Sequence, residues 1–235
     1  MVAGRLQRRL QHYNLASYGD YFQLISSNRY PEERQIMVDL LTTNETYFFR
    51  EPAHFEFFRD HVLRNLDTEH AHIWSAACSS GEEVYTLAML MAEHWAGEWS
   101  ILGSDVSQRM LRLASRGHYP MARTSGIPLA MMKKYCWRGV RSQANTLLID
   151  KTLRQHARFR LLNLTQKLPS IGRFDAIFLR NVLIYFDAET KQEVVKRVLT
   201  GLKPGGYFFI SHTETLHGIE TGLETIRPSI YRRPQ

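Results

Sequence analysis

The stretch "HIWSAACSSGEEVYTLAMLMAEHWAGEWSILGSD", His72 to Asp105, decides the fold. "HIWSAA" has the length and apolar content of a buried strand, and "GEEVYTLAMLMAEHWA" the apolar spacing of an amphipathic helix. "SILGSD" is a second short strand. Strands joined through a helix pair in parallel with a right-handed crossover. Downstream the alternation continues: "SQRMLRLASRG" predicts a helix, "FDAIFLRN" a buried strand, "AETKQEVVKRVLTGL" a helix and "GGYFFISH" a strand. The expected fold class is α/β, a parallel sheet covered on both faces that binds ligands beyond the carboxyl ends of its strands.

The flanks differ. Residues 118–157 carry Pro120 and Pro128, a helical stretch at Leu129–Tyr135 and "NTLLIDKTLRQHARFRLL", which forms short strands by its apolar content. So long an interval is uncommon as a bare loop and predicts a small inserted subdomain. Upstream, Leu6, Leu10 and Tyr13, then Tyr18, Phe22 and Ile25, then Ile36, Leu40 and Leu41 recur at helical spacing. Pro31 with Glu32 and Glu33 marks a helix start, and Pro52 marks another that buries Phe55, Phe57 or Phe58.

The chain has 235 residues, 44% hydrophobic and 23% charged, enough for a core without staples. No apolar run approaches the roughly 20 residues that span a bilayer, so no membrane insertion is expected. The opening "MVAGRLQRRLQHY" is too polar for a signal peptide, and a cytoplasmic protein is expected. Cys78 and Cys136 make no disulfide framework. Ten histidines are scattered, and the close pair His70 and His72 has no third ligand nearby in sequence, so no metal site is expected. A net charge of +7 favours an acidic partner, while the nucleic-acid motifs are missing.

Three stretches carry the chemistry. In "WSAACSSGEEVY", small residues after a strand let a ligand approach the backbone ahead of a helix N-terminus. A single glycine is not a dinucleotide fingerprint, and Glu82 and Glu83 would repel a pyrophosphate. Glu83 suits an ammonium group, though it is also a favourable charge in a first helical turn. Asp105 closes the second strand, where an acid accepts from ribose hydroxyls, though it is also a plausible helix cap. A nucleoside with a cationic group and no pyrophosphate describes S-adenosylmethionine. In "FDAIFLRNVLIYFD", Arg180 and Asn181 fall at the same expected sheet edge, followed by Tyr185.

"TTNETYFFRE" (42–51), "WSAACSSGEE", "GSDVSQRMLRLASRGHY", "FDAIFLRNVLIYFD" and "LKPGGYFFISHTETL" occur in order along nearly the whole chain. Together they resemble the CheR-type glutamate methyltransferases of chemotaxis receptors. The resemblance implies a Rossmann-like S-adenosylmethionine-dependent methyltransferase domain with a small inserted antiparallel β-subdomain, preceded by a short all-α N-terminal domain. The divisions expected are 1–50 for the helices and linker, 51–235 for the methyltransferase domain and 118–157 for the insert. It further implies that Asn44, Thr46, Arg50, Glu83, Asp105, Asn163, Leu164, Arg180 and Asn181 bind the cofactor, with S-adenosyl-L-homocysteine as product. Arg50 and Tyr185 are the candidates beside the methyl and the incoming carboxylate, and Arg5, Arg8 and Arg9 the surface for an acidic receptor helix.

The implied reaction is methyl transfer to glutamate side chains on a chemoreceptor's cytoplasmic helical bundle, by a monomer with no nucleic-acid partner. A glutamate carboxylate is ionised at neutral pH and needs no general base, so positioning and exclusion of water carry the catalysis. Competing readings are a methyltransferase of the same fold acting on RNA or a small molecule, and a non-catalytic S-adenosylmethionine-binding adaptor. The adaptor predicts damaged cofactor residues, and none of those named is missing.

Overall fold

The computed structural model describes residues 2–27 and 29–235. Three helices open the chain: α1 (Val2–His12), α2 (Tyr18–Ser26) and α3 (Pro31–Leu41). Ser17 and Asp20 form a reciprocal capping box at the start of α2, and Pro31 begins α3 where no amide donor is needed. After a linker, α4 (Pro52–Phe57) runs through a π-helical turn (Phe58–Val62) into α5 (Leu63–Asn65). Then follow β1 (His70–Ser75), α6 (Glu82–His94), β2 (Glu98–Asp105), α7 (Gln108–Arg116), β3 (His118–Pro120), α8 (Leu129–Tyr135), β4 (Cys136–Arg138), β5 (Thr146–Ile149) and α9 (Lys151–Arg154). The remainder is β6 (Ala157–Leu161), β7 (Phe174–Phe178), α10 (Ala188–Leu199), β8 (Leu202–Phe209), β9 (Glu224–Arg227) and β10 (Ile230–Arg232).

The main sheet has seven strands in the order β6-β2-β1-β7-β8-β10-β9. Five are parallel, as the strand–helix alternation predicts, but β10 pairs antiparallel with β8 and β9 with β10. The all-parallel expectation therefore fails at one edge, because a hairpin folds back there without a crossover helix. A separate antiparallel sheet, β3-β5-β4, lies within the interval predicted as an insert.

Strand alternation divides the core. Ile73, Phe178 and Phe209 face α4 and α6, while Trp74, Ile177 and Phe208 face Val194, Val195 and Val198 of α10. Phe178 and Phe209 are register partners whose rings stack 4.3 Å apart. Phe55, Phe57 and Phe58 are all buried against this first face. Gly81 precedes α6 at φ 92°, and a Cβ there would meet that of Ala114 at 2.8 Å, so only glycine fits.

The N-terminal helices are built differently. Their buried apolar residues are Leu6, Leu10, Tyr21 and Ile25. On α2 the inward face is Tyr21 and Ile25; Phe22, expected inside, is 66% exposed. On α3 the buried residues are the acids Glu33 and Asp39, not the aliphatic stripe. Asp39 accepts from Ser107 Oγ at 2.8 Å and Gln35 donates to the Val106 carbonyl at 3.0 Å, which latches α3 beside the end of β2.

Candidate active site

The linker 42–51 folds over the carboxyl ends of β1, β2 and β7, at the point where the strand order reverses. It divides its aromatic rings. Phe48 is buried edge-on against Tyr119 of the small sheet, with centroids 5.1 Å apart. Phe49 packs on Phe55, and its amide donates to Thr86 Oγ1 at 3.1 Å. Tyr47 stays half exposed, with the Arg50 guanidinium 5.6 Å from its ring centroid. Phe49 (φ 57°) and Glu51 (φ 59°) both adopt the left-handed backbone that non-glycine residues avoid. These two reversals bracket Arg50.

Beneath the linker lies a cleft of about 410 Å³, within the range of small-molecule sites. Asn44, Thr46, Arg50, Glu83, Asp105, Asn163, Leu164, Arg180, Asn181 and Tyr185 all line it, although they come from five separate parts of the chain. Arg5, Arg8 and Arg9 do not. Arg5 donates to the Leu41 carbonyl at 2.7 Å and Arg9 grips Glu33 within the helices, which leaves Arg8 as the exposed member of that trio.

Arg180 is the electrostatic hub. It is 5% exposed, and donates to Glu83 Oε2 at 2.7 Å and to the Arg50 carbonyl at 2.6 Å. It also pairs with Glu51 Oε2 at 3.2 Å. Although burial pushes the Glu51 carboxyl up, Arg180 and the His212 amide outweigh it and hold the group down at about 2. Glu83 spends its other oxygen on Ser75 Oγ at 2.7 Å. Glu82, next in sequence, points away from the cleft to Arg123 and Ser80, and burial pushes its carboxyl up.

Asp105 accepts from the amides of Ser79 and Ser107, each at 2.8 Å. Burial pushes its carboxyl up against those amides. A carboxylate has about four acceptor positions, so two remain for a ligand in the cleft. Asn163 turns its carbonyl oxygen back to Thr165, leaving its amide nitrogen without a hydrogen bond among the described residues. Arg50 forms no ion pair among the described residues; its guanidinium donates to the Glu45 carbonyl at 2.7 Å. The cleft thus offers a cation without an ion-pair partner among the described residues and a partly satisfied carboxylate.

A family model described as "CheR methyltransferase, SAM binding domain" matches residues 44–231, and "CheR methyltransferase, all-alpha domain" matches residues 1–42. The chain belongs to the CheR methyltransferase family. It is 37% identical to a chemotaxis protein methyltransferase of Escherichia coli K12, with 98% of this chain and 82% of that protein covered. It is 36% identical to chemotaxis protein methyltransferase 2 of Pseudomonas aeruginosa, over 98% of this chain and 84% of the relative. The corresponding enzyme of Salmonella typhimurium is 34% identical over 93% of this chain and 77% of its own. S-adenosylmethionine is the cofactor that this family domain binds.

The CheR cleft has further parts that the sequence pattern did not single out. Met37, Val38 and Leu41 of α3 form one wall. Glu214 accepts from the amides of Asn181, Leu183 and Ser211 at 3.0, 2.7 and 2.8 Å, and so holds the loop after β7 in place. Glu51 was visible only as the neighbour of Arg50, yet it anchors Arg180. No helix among the described residues is long and apolar enough to cross a membrane.

Proposed function

We propose that this chain is a protein-glutamate O-methyltransferase that modifies the acidic cytoplasmic helices of chemoreceptors, forming glutamate γ-methyl esters. The observation that carries this reading is the state of Arg50: a cation without a carboxylate partner among the described residues, beside Tyr47 and lining the same cleft as Tyr185. A guanidinium without a carboxylate partner among the described residues, lining a cofactor cleft, suits an incoming carboxylate, which it can hold in fixed geometry. The names of the relatives support a chemotaxis substrate.

S-adenosylmethionine, when bound, supplies an electrophilic methyl group whose loss leaves the neutral thioether S-adenosyl-L-homocysteine. The chain's own residues bind and orient. Asp105 accepts from the ribose hydroxyls, Glu83 takes the ammonium group, and Asn163 and Leu164 border the adenine. Asn44, Thr46, Arg180 and Asn181 close the same pocket. Arg50 and Tyr185 stand beside the acceptor, where aromatic walls exclude water from a nucleophile that is already ionised at neutral pH. No proton has to move, so positioning supplies the rate. Residues 1–50 serve as the substrate-facing part, 51–235 as the methyltransferase domain and 118–157 as its insert, in a cytoplasmic monomer.

The test is incubation with methyl-labelled cofactor and cytoplasmic fragments of chemoreceptors, followed by base treatment. Volatile, base-labile label is the expected outcome, and Arg50→Ala should lower its rate by about 100-fold, the scale of lost positioning. No base-labile label on any receptor fragment, or label on RNA instead, would overturn the assignment.

A further inference from the structure

One layer behind the cleft, the start of α4 meets the loop after β8 and the turn between β9 and β10. Glu51, His54 and His212 converge there. His54 is fully buried, yet its Nδ1 has no hydrogen-bond partner. An orphaned buried nitrogen requires an explanation. It lies 3.4 Å from Glu51 Oε2, and His212 Nε2 lies 4.0 Å from the same oxygen. The three ligand atoms are all within 4.8 Å of one another.

The hydrogen bonds behind this cluster decide which nitrogens carry protons. Ser229 Oγ is 2.8 Å from His54 Nε2, 3.1 Å from His212 Nδ1 and 2.6 Å from the Pro228 carbonyl. A hydroxyl has one proton and two lone pairs. The carbonyl can only accept, so it takes the hydroxyl proton, and both imidazoles donate to Oγ. Each histidine is then left with a lone pair on its other nitrogen, His54 Nδ1 and His212 Nε2. Those two lone pairs face an ionised carboxylate. Two imidazole lone pairs and a carboxylate oxygen within 4.8 Å of one another are the donor set of a cation site.

We propose that Glu51, His54 and His212 form a three-ligand site for a divalent cation of the zinc type. Two imidazoles and one carboxylate suit such a borderline cation, whereas calcium and magnesium select oxygen ligands. Bond lengths of about 2.0–2.1 Å place tetrahedral ligands about 3.3 Å apart. The His54–Glu51 separation already fits, and His212, whose side chain is 44% exposed, has room to close the remainder. Its exposure also opens a route for entry and a fourth position for water. Ser229 is the outer-shell partner that orients both imidazoles. The ion would share Glu51 Oε2 with Arg180, which retains its bonds to Glu83 and the Arg50 carbonyl. Ser229, His54 and Glu51 also line up like a hydrolytic triad, but Ser229 is buried and borders no cavity described above.

The experiment is titration of the untagged, metal-stripped chain with Co²⁺, followed by its displacement with Zn²⁺. Saturable absorption at one Co²⁺ per chain, removed by one equivalent of Zn²⁺, is expected. His212→Ala, whose exposed side chain leaves the metal-free melting temperature unchanged, should abolish it. Ser229→Ala should weaken Co²⁺ binding about 10–100-fold, the usual cost of losing an outer-shell partner. Absence of saturable Co²⁺ absorption, or His212→Ala binding Co²⁺ as the parent does, would overturn the site.

Discussion

Glu33, among the N-terminal helices, and Asp105, at the end of β2, are both buried carboxylates in opposite electrostatic settings. Glu33 is met by Arg9 Nε at 2.7 Å, by a second Arg9 nitrogen, by Tyr21 at 2.7 Å and by Tyr13 at 3.2 Å. Its acceptor positions are filled and its charge is matched. Asp105 accepts from backbone amides, and no cation pairs with it among the described residues. One acid is finished and holds helices together; the other keeps acceptor capacity for a ligand. The surrounding regions follow the same division. The helices rest on a small apolar cluster and a charge network, whereas the sheet body rests on apolar burial and keeps its charge network at the cleft.

Glu33→Gln would strike hardest at this contrast. It strands a partly buried guanidinium, and breaking such a pair costs about 3–5 kcal/mol. Circular dichroism should then show the N-terminal helices melting ahead of the sheet body; a melt like the parent's would deny Glu33 its role. Asp105→Asn should act on binding instead of folding. Losing hydrogen bonds to a charged acceptor costs about 1.5–3 kcal/mol, or roughly 10- to 150-fold in cofactor affinity. Calorimetry checks this, and unchanged affinity would leave the free acceptor positions without a function.

Acid should separate the two carboxylates by sign. Burial pushes the Glu33 carboxyl up, but Arg9 and the tyrosines overturn this and hold it below its ordinary 4.5. Its contribution to stability is therefore present above the ordinary value and lost as pH falls through the depressed one. Asp105 is raised above its ordinary 3.8. Its protonation favours the folded sheet as pH falls towards that value, while weakening the cofactor site from a higher pH than an ordinary aspartate would. Acid titration followed by far-ultraviolet dichroism and by cofactor binding should separate the two, binding failing before the helices do. The smallest effect is expected for Arg8→Ala, within about 0.5 kcal/mol of the parent in thermal melts, because its side chain is exposed.

Much of this was legible in the sequence, for identifiable reasons. The strands around Ile73, Leu102 and Ile177 announce themselves because they are buried on both faces and must be continuously apolar. Asp105, Arg180 and Asn181 were legible because a parallel sheet delivers the carboxyl ends of its strands to one edge, whatever the sequence distance between them, whereas Asn44, Thr46, Arg50, Asn163 and Leu164 were named through the family resemblance. The helices were harder. Tyr18 and Phe22 carry the same spacing as Tyr21 and Ile25, and periodicity alone cannot say which face turns inward. The basic trio divides for a related reason: Arg9 next to Arg8 looks equivalent in sequence, yet a rotation of one residue along α1 carries it to Glu33.

By itself the sequence determined the α/β alternation, the inserted segment and the placement of Glu83, Asp105 and Asn181 at one sheet edge. Each follows from local pattern or from a topology that local pattern dictates. Only the tertiary structure decided how charge is distributed among them. It gave Arg180 to Glu51 and Glu83, left Arg50 without a carboxylate partner, turned Glu82 out of the cleft and brought His212 to His54 across the fold. The physical reason is that ion pairing depends on separations of a few ångströms. Those separations are set by packing between elements that lie far apart along the chain.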